Sequence, residues 1–187
     1  MAGALFGAIV LSRELKRIAL VKPQGCPVWC FPIGEVEGQD GTVAAISVVD
    51  KQTGVNIRGK ISEDFVEAEF PAGSGTQCRL YMAYDVPDGT MQPAPESAIE
   101  QASWHPVEEI VNLPPDTSAE EQPVMPFVQG LKQWIARNHE LRVKGDEKFG
   151  WNLIYAKDRW IGIKPQMVLR NHLQGNQSFP TSTKRVP

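Results

Sequence analysis

The sequence predicts an α/β protein, an α/β/α sandwich around a mixed sheet, and three observations carry that prediction. Short β-branched and apolar runs fall before residue 33 and again between residues 64 and 86. One helical pattern, "TVAAISVVDKQTG", stands between the two groups, and two more helical stretches follow the second. Strands on both sides of a helix, with helices closing the series, call for a sheet covered on both faces. At 187 residues and 42% hydrophobic content, the chain can bury one full core with a short appendage.

Each element follows from its residues. "FGAIVLS" (Phe6–Ser12) and "RIALVK" (Arg17–Lys22) are apolar runs split by the polar "RELK", which reads as a hairpin. "WCFP" reads as a short strand stopped by Pro32, and "IGEVEGQDG" as a glycine-rich acidic loop. In the helix that follows, Val43, Ile46 and Val49 mark the expected buried face. Thr42 is the expected N-cap and Gly54 the left-handed residue at the C-terminus. "DFVEAEF" (Asp64–Phe70) alternates with period two, and "QCRLYMAYDV" (Gln77–Val86) returns after the turn "PAGSG". "ASWHPVEEIVNLP" places a Trp before a helix with Pro106 at its first position. In "VMPFVQGLKQWIARNHELRVK", Phe127, Leu131, Trp134 and Ile135 form one apolar stripe. "FGWNLIYAKDRWIGIKPQMVL" reads as a further hairpin turning near "AKD". The expected organisation is a domain over residues 1–143, a basic and aromatic extension over 144–175, and a flexible tail over 176–187.

Bulk properties exclude several classes. No run of about 18 apolar residues exists, so no membrane span or membrane partner is expected. "MAGALFGAIVLS" lacks a basic leader region and reads straight into a strand, so no signal peptide is expected. Cys26, Cys30 and Cys78 form no CxxC pair, and no second half completes a zinc site, so they read as unpaired buried thiols in a reducing compartment. The expected location is the cytoplasm, with an organelle such as the mitochondrion left open. His105, His139 and His172 are scattered and read as surface or satisfied residues. The net charge of −3 hides an asymmetry. Residues 1–129 carry 8 Lys+Arg against 18 Asp+Glu, and residues 130–187 carry 11 against 4. An acidic body with a basic end points to an anionic partner.

The ordered series resembles the Nudix fold, and within it the catalytic domain of mRNA decapping enzymes. "GAIVL…IALVK" is similar to that family's entry hairpin and "WCFPIG" to its entry to the catalytic loop. "CRLYMAYDVP", "SWHPVEEI" and "PFVQGLKQWIARN" resemble a later strand, its Trp-plus-helix and the basic closing helix. The likeness runs from about Gly7 to Asn138. It implies a Nudix-type sandwich through residue 143. It also implies a helix on which glutamates at i, i+3 and i+4 hold Mg²⁺ or Mn²⁺, which neutralises a pyrophosphate and activates water.

Aligned on Gly54-Val55, the motif's arginine falls on Ser47 and its three glutamates on Val48, Lys51 and Gln52. The site is therefore expected to be degenerate, with no metal and no cofactor. A lysine at a ligand position repels the ion. Glu35, Glu37, Asp40, Glu67 and Glu69 are the acids that could rebuild a carboxylate cluster. Glu96 and Glu100 precede Trp104, where some family members carry a general base.

Two readings follow. In the first, the chain is a catalytically inactive Nudix-fold protein that binds RNA or serves as a scaffolding subunit in an RNA-processing or mRNA-decay complex. Lys132, Arg137, Arg142, Lys144, Lys157 and Arg159, interleaved with Trp134, Trp151, Tyr155 and Trp160, are its candidate RNA contacts. In the second, it is an atypical pyrophosphohydrolase on capped or 5′-phosphorylated RNA or a nucleotide, with Mg²⁺ or Mn²⁺ held by displaced acids.

Overall fold

The computed structural model describes residues 4–36, 40–143, 152–156 and 159–163, and among these the side chains of 4–36 and 40–138. The first hairpin forms as its sequence requires, with β1 (Leu5–Ser12) and β2 (Arg17–Pro23) antiparallel through Leu11 and Ile18. Leu15, at φ 55, takes the left-handed turn between them, closed by Leu15 N–H donating to Ser12 O at 2.9 Å.

The expected strand "WCFP" is displaced. Cys30 makes only an isolated bridge to Val21, and the strand proper is β3 (Ile33–Glu35), antiparallel to β1 from Leu5↔Glu35 to Gly7↔Ile33. Pro32 delays pairing because it has no amide to donate. Its carbonyl instead faces β1 so closely that a Cβ at Gly7 would lie 2.0 Å from Pro32 O.

Helix α1 (Gly41–Thr53) starts two residues earlier than the expectation that Thr42 caps it. Asp40 is the N-cap, and its carboxylate accepts from Thr42 N at 3.0 Å and from the Thr42 hydroxyl. The buried face also differs: it carries Ala44, Ala45, Val48, Val49 and Thr53, whereas Val43 is 52% exposed. Residues spaced by three drift about 60° per step around a 3.6-residue helix, so Val43 and Val49 cannot share a narrow stripe. The C-terminus ends as expected on Gly54 at φ 71. Residues of the long loop after β5 complete it, Gln92 N donating to Thr53 O at 2.8 Å and Ala94 N to Lys51 O at 2.9 Å. A Cβ at Gly54 would lie 2.5 Å from Gln92 O.

Strands β4 (Ile61–Glu69) and β5 (Gln77–Val86) form the second hairpin, and β5 runs parallel to β1 from Leu5↔Cys78 to Val10↔Ala83. The stretch around Trp104 is a strand that the sequence reading missed. It is β6 (Ile99–Pro106), antiparallel to β2, with Pro106 as the N-cap of α2 (Val107–Val111) rather than its first turn. The half-polar "IEQASWHP" suits an edge strand, where alternation is weak and a terminal proline is tolerated. The sheet order is β4-β5-β1-β2-β6, with β3 also on β1.

Both faces of this sheet are covered. One packs Ala8, Val10, Ala19, Ala83 and Val86 against Val49 of α1 and Ile57. The alternate residues Ile9, Leu11, Leu80 and Met82 are fully buried on the other. There, Phe127 of α3 (Met125–Val143) meets Phe31 and Phe70, each at 6.0 Å between ring centroids, and Gly130 lets that helix approach Val66 of β4. The chain divides into two compact units, residues 1–131 and residues 132–187. The second holds the remainder of α3 and the antiparallel hairpin β7 (Asn152–Ala156) and β8 (Arg159–Ile163), which flanks the expected turn.

Replacing Gly7 by Ala forces a methyl into the Pro32 carbonyl, a backbone atom that cannot step aside. Gly7→Ala should lower unfolding free energy by about 1–3 kcal/mol, measured by urea denaturation. An unchanged midpoint would refute the close approach.

Candidate functional site

The segment from Ile33 to Val55 is where the resemblance places a catalytic site, and α1 determines what its side chains can reach. Val48 is 7% exposed and lies over Gly34, where an added Cβ would meet Val48 Cγ2 at 3.1 Å. Gln52, one turn on, sends Nε2 back to donate to the Ile33 carbonyl at 2.8 Å. Its Oε1 is buried without a protein partner. Lys51 is exposed, and Ser47 lines an open groove with Ile46, Asp50, Asn56 and Arg58. The helix therefore presents a branched alkyl group and an amide donor to the loop, and it holds the loop through both.

This donor set does not fit a divalent cation. Mg²⁺ and Ca²⁺ take oxygen ligands, chiefly carboxylates. Here the inward positions carry Val48, which has no donor atom, and Gln52, whose single amide oxygen is no substitute for a carboxylate cluster and whose amide nitrogen is tied to the Ile33 carbonyl. The displaced acids do not converge either. Glu35 ends β3 exposed, while Asp40 is committed to the helix cap. The Thr42 hydroxyl, then its amide, hold the Asp40 carboxyl below its usual range. On β4, Glu67 pairs with Arg79 at 3.0 Å, and Glu69 accepts from Gly75 N in its own hairpin turn. Glu37 lies outside the described residues. Glu100, expected on a loop, sits on β6 and pairs with Lys22 at 3.2 Å. Among the described residues, no three His, Cys, Asp or Glu side chains gather into a group able to hold a metal ion.

Other candidates divide similarly. Cys78 is buried, but Cys26 and Cys30 are only half-buried, which corrects the expectation for those two. Burial pushes the Cys30 and Cys78 thiols up to about 12, leaving them protonated and unreactive. His105 is neither a surface nor a satisfied residue. Its ring meets Trp29 edge-on at 4.4 Å, its Nε2 is buried without a partner, and burial lowers its pKa against the opposing pull of Glu109. Of the basic candidates, Lys132 is half-buried and burial lowers its pKa, while Arg137 is exposed. Arg142 and Arg159 stand on α3 and β8 with side chains outside the described set, as are Lys144 and Lys157 altogether. Trp134 is buried. The sequence carried no signal for the Gln52–Ile33 contact, since it joins a helix to a loop whose course depends on Gly7.

Gln52→Glu should expose this arrangement. An ionised carboxylate cannot donate to Ile33 O, so the variant should lose about 1–3 kcal/mol at pH 7. Only the protonated acid can donate, so the introduced group has a raised folded pKa. Stability should therefore be kept below its unfolded pKa and lost as pH rises through the folded value. Urea midpoints at pH 4 and pH 7 that shift in parallel with the parent would refute it.

Comparison with known proteins agrees with this fold. The NUDIX domain profile matches residues 3–127. The mRNA-decapping enzyme subunit 2 of Arabidopsis thaliana is 26% identical over 141 residues. That match covers 71% of this chain but only 37% of the relative's length. Among solved structures, a C. elegans Ap4A hydrolase binary complex superposes with a TM-score of 0.54 at 16% identity, covering 72% of this chain and 98% of that one. The NUDIX domain of Shewanella oneidensis NrtR, complexed with ADP ribose, does so with 0.55 at 13%, covering 72% and 89%. With its sheet, its helix α1 and its profile match over most of its length, the chain belongs to the NUDIX domain family.

Proposed function

We propose that this NUDIX-domain protein has lost metal-dependent hydrolysis and acts by binding, as an RNA-holding subunit of an RNA-processing or mRNA-decay assembly. One observation carries the first half. At the helix positions where the family resemblance puts carboxylates, α1 bears Val48, Lys51 and Gln52, and Val48 and Gln52 are packed against strand β3 at Gly34 and Ile33. Pyrophosphate cleavage needs a cation to neutralise the developing charge, and a general base without one contributes little.

The second half is supported by charge and by relationship. The basic segment after Gly130 and the likeness to a decapping subunit both favour an RNA partner. Burial lowers the Lys132 pKa, and a phosphate beside it would favour its charged form. No described helix is long and apolar enough to cross a membrane.

Two measurements test the proposal. Incubation with Mn²⁺ and capped or 5′-triphosphorylated RNA should release no phosphate product. Turnover abolished by Glu35→Gln or Glu69→Gln would establish the hydrolase reading instead. In mobility-shift titrations with single-stranded RNA, the combined Lys132→Ala, Arg137→Ala and Arg142→Ala variant should bind more weakly. Its salt dependence should flatten by about 2 logarithmic units per decade, at roughly 0.7 per phosphate contact. An unaltered shift would remove this helix from the RNA interface.

A further inference from the structure

The sheet face under the start of α1 ends, toward edge strand β4, in an exposed stack of planar groups. Phe65 on β4 stands opposite Tyr81 on β5, with ring centroids 5.7 Å apart and planes tilted by 60°. Two residues along, Glu67 stands opposite Arg79. The Arg79 guanidinium carbon lies 4.3 Å from the Phe65 ring centroid, and its Nη2 donates to Glu67 Oε1 at 3.0 Å. The Tyr81 hydroxyl and then Glu67 hold the guanidinium charged, above even its ordinary range.

Tyr81 is itself fixed. It is 8% exposed, and its hydroxyl sits so near α1 that a Cβ at Gly41 would come within 2.3 Å of it. The cation and the ring are thus set in place by buried neighbours, yet Phe65 remains 45% exposed and the Arg79 side chain 37%. A flat, rigid, half-open surface loses little freedom when a second flat group stacks on it.

We propose that Phe65 and Arg79 form a stacking site for a nucleobase, with Glu67 accepting a hydrogen bond from an amino group on the base edge. Charge selects this ligand over a bare phosphate. Glu67 neutralises Arg79, and Glu63 and Glu69 lie along the same strand, so a bare phosphate finds no net positive charge here while a neutral ring needs none. Aromatic rings and guanidinium planes stack on any base. An ionised carboxylate only accepts, so the base edge must donate, which the exocyclic amines of guanine, adenine and cytosine do. The site takes one unpaired base rather than a length of backbone. It deepens the RNA-binding reading and rests on it for the polymer, though not for the base.

Full-length protein titrated with GMP, AMP, UMP or inorganic phosphate tests this directly, followed by NMR shifts of the Phe65 and Tyr81 rings. GMP and AMP should give saturable shifts, UMP weaker ones, and phosphate none. Phe65→Leu, conservative at a half-exposed position, should weaken GMP about tenfold, Phe65→Trp should tighten it, and Glu67→Gln should erase the preference of GMP over UMP. No saturable shift at millimolar nucleotide, GMP binding indifferent to Phe65→Leu, or tighter binding of N-acetyltryptophanamide than of GMP would each overturn the site. Nucleotide binding without any RNA mobility shift would sink the RNA reading and leave the stacking site standing. An RNA shift with no nucleotide binding would do the reverse.

Discussion

The contact between strand β1 and the chain at Pro32 decides where everything around α1 can go. β1 is hydrogen-bonded along both edges and buried on both faces, so anything that crosses its end has to do so without a side chain in the way. Gly7 provides that opening, and the Pro32 carbonyl occupies it. From there the chain has little choice. Ile33 and Gly34 pair with Phe6 and Gly7 along β1, the Ile33 carbonyl turns toward α1, and Gly34 leaves room for Val48 above it. The Gln52 amide completes the arrangement from one helical turn away. A packing constraint in the sheet thus fixes the polar geometry of the candidate site.

The same view explains what Gly34 and Gly54, at the two ends of the segment, do for the fold. Gly34 and Gly54 occupy positions where backbone or side chain comes too close for a Cβ, which are structural demands of the sandwich. The residues between them answer to chemistry only where a ligand is held. Val48 and Gln52 meet the structural demand without a carboxylate, and the helix stays anchored at its start by Asp40 and at its end by residues 92 and 94.

Much of this was legible in the chain. The two hairpins, α1, its glycine terminus and the closing helix follow from period-two and period-3.6 patterning. What escaped the reading depended on partners remote in sequence. β6 was hidden because "IEQASWHP" is half-polar and is held as a strand only by β2. The Thr42 cap gave way to Asp40 because both residue types can cap a helix start two residues apart, and only geometry chooses; here Asp40 accepts from Thr42's own amide. Val43 was misplaced because a spacing of three mimics a helical stripe over two turns and then rotates out of it. The site residues were legible as types but not as contacts. Nothing local says that Gln52 reaches Ile33, or that Arg79 covers Phe65.

The parallel pairing of β1 with β5 has a consequence for how the chain is made. Leu5 and Cys78 are partners, so β1 waits during synthesis for a neighbour 73 residues behind it. Until then it has only β2 and β3 on one edge, and a strand apolar on both faces is exposed during synthesis. α1 is in a similar position, since the amides that close its last turn belong to Gln92 and Ala94. The N-terminal half therefore cannot finish before the second hairpin arrives. The nascent chain passes through an interval in which β1 lacks its parallel neighbour and α1 lacks the amides that close its last turn.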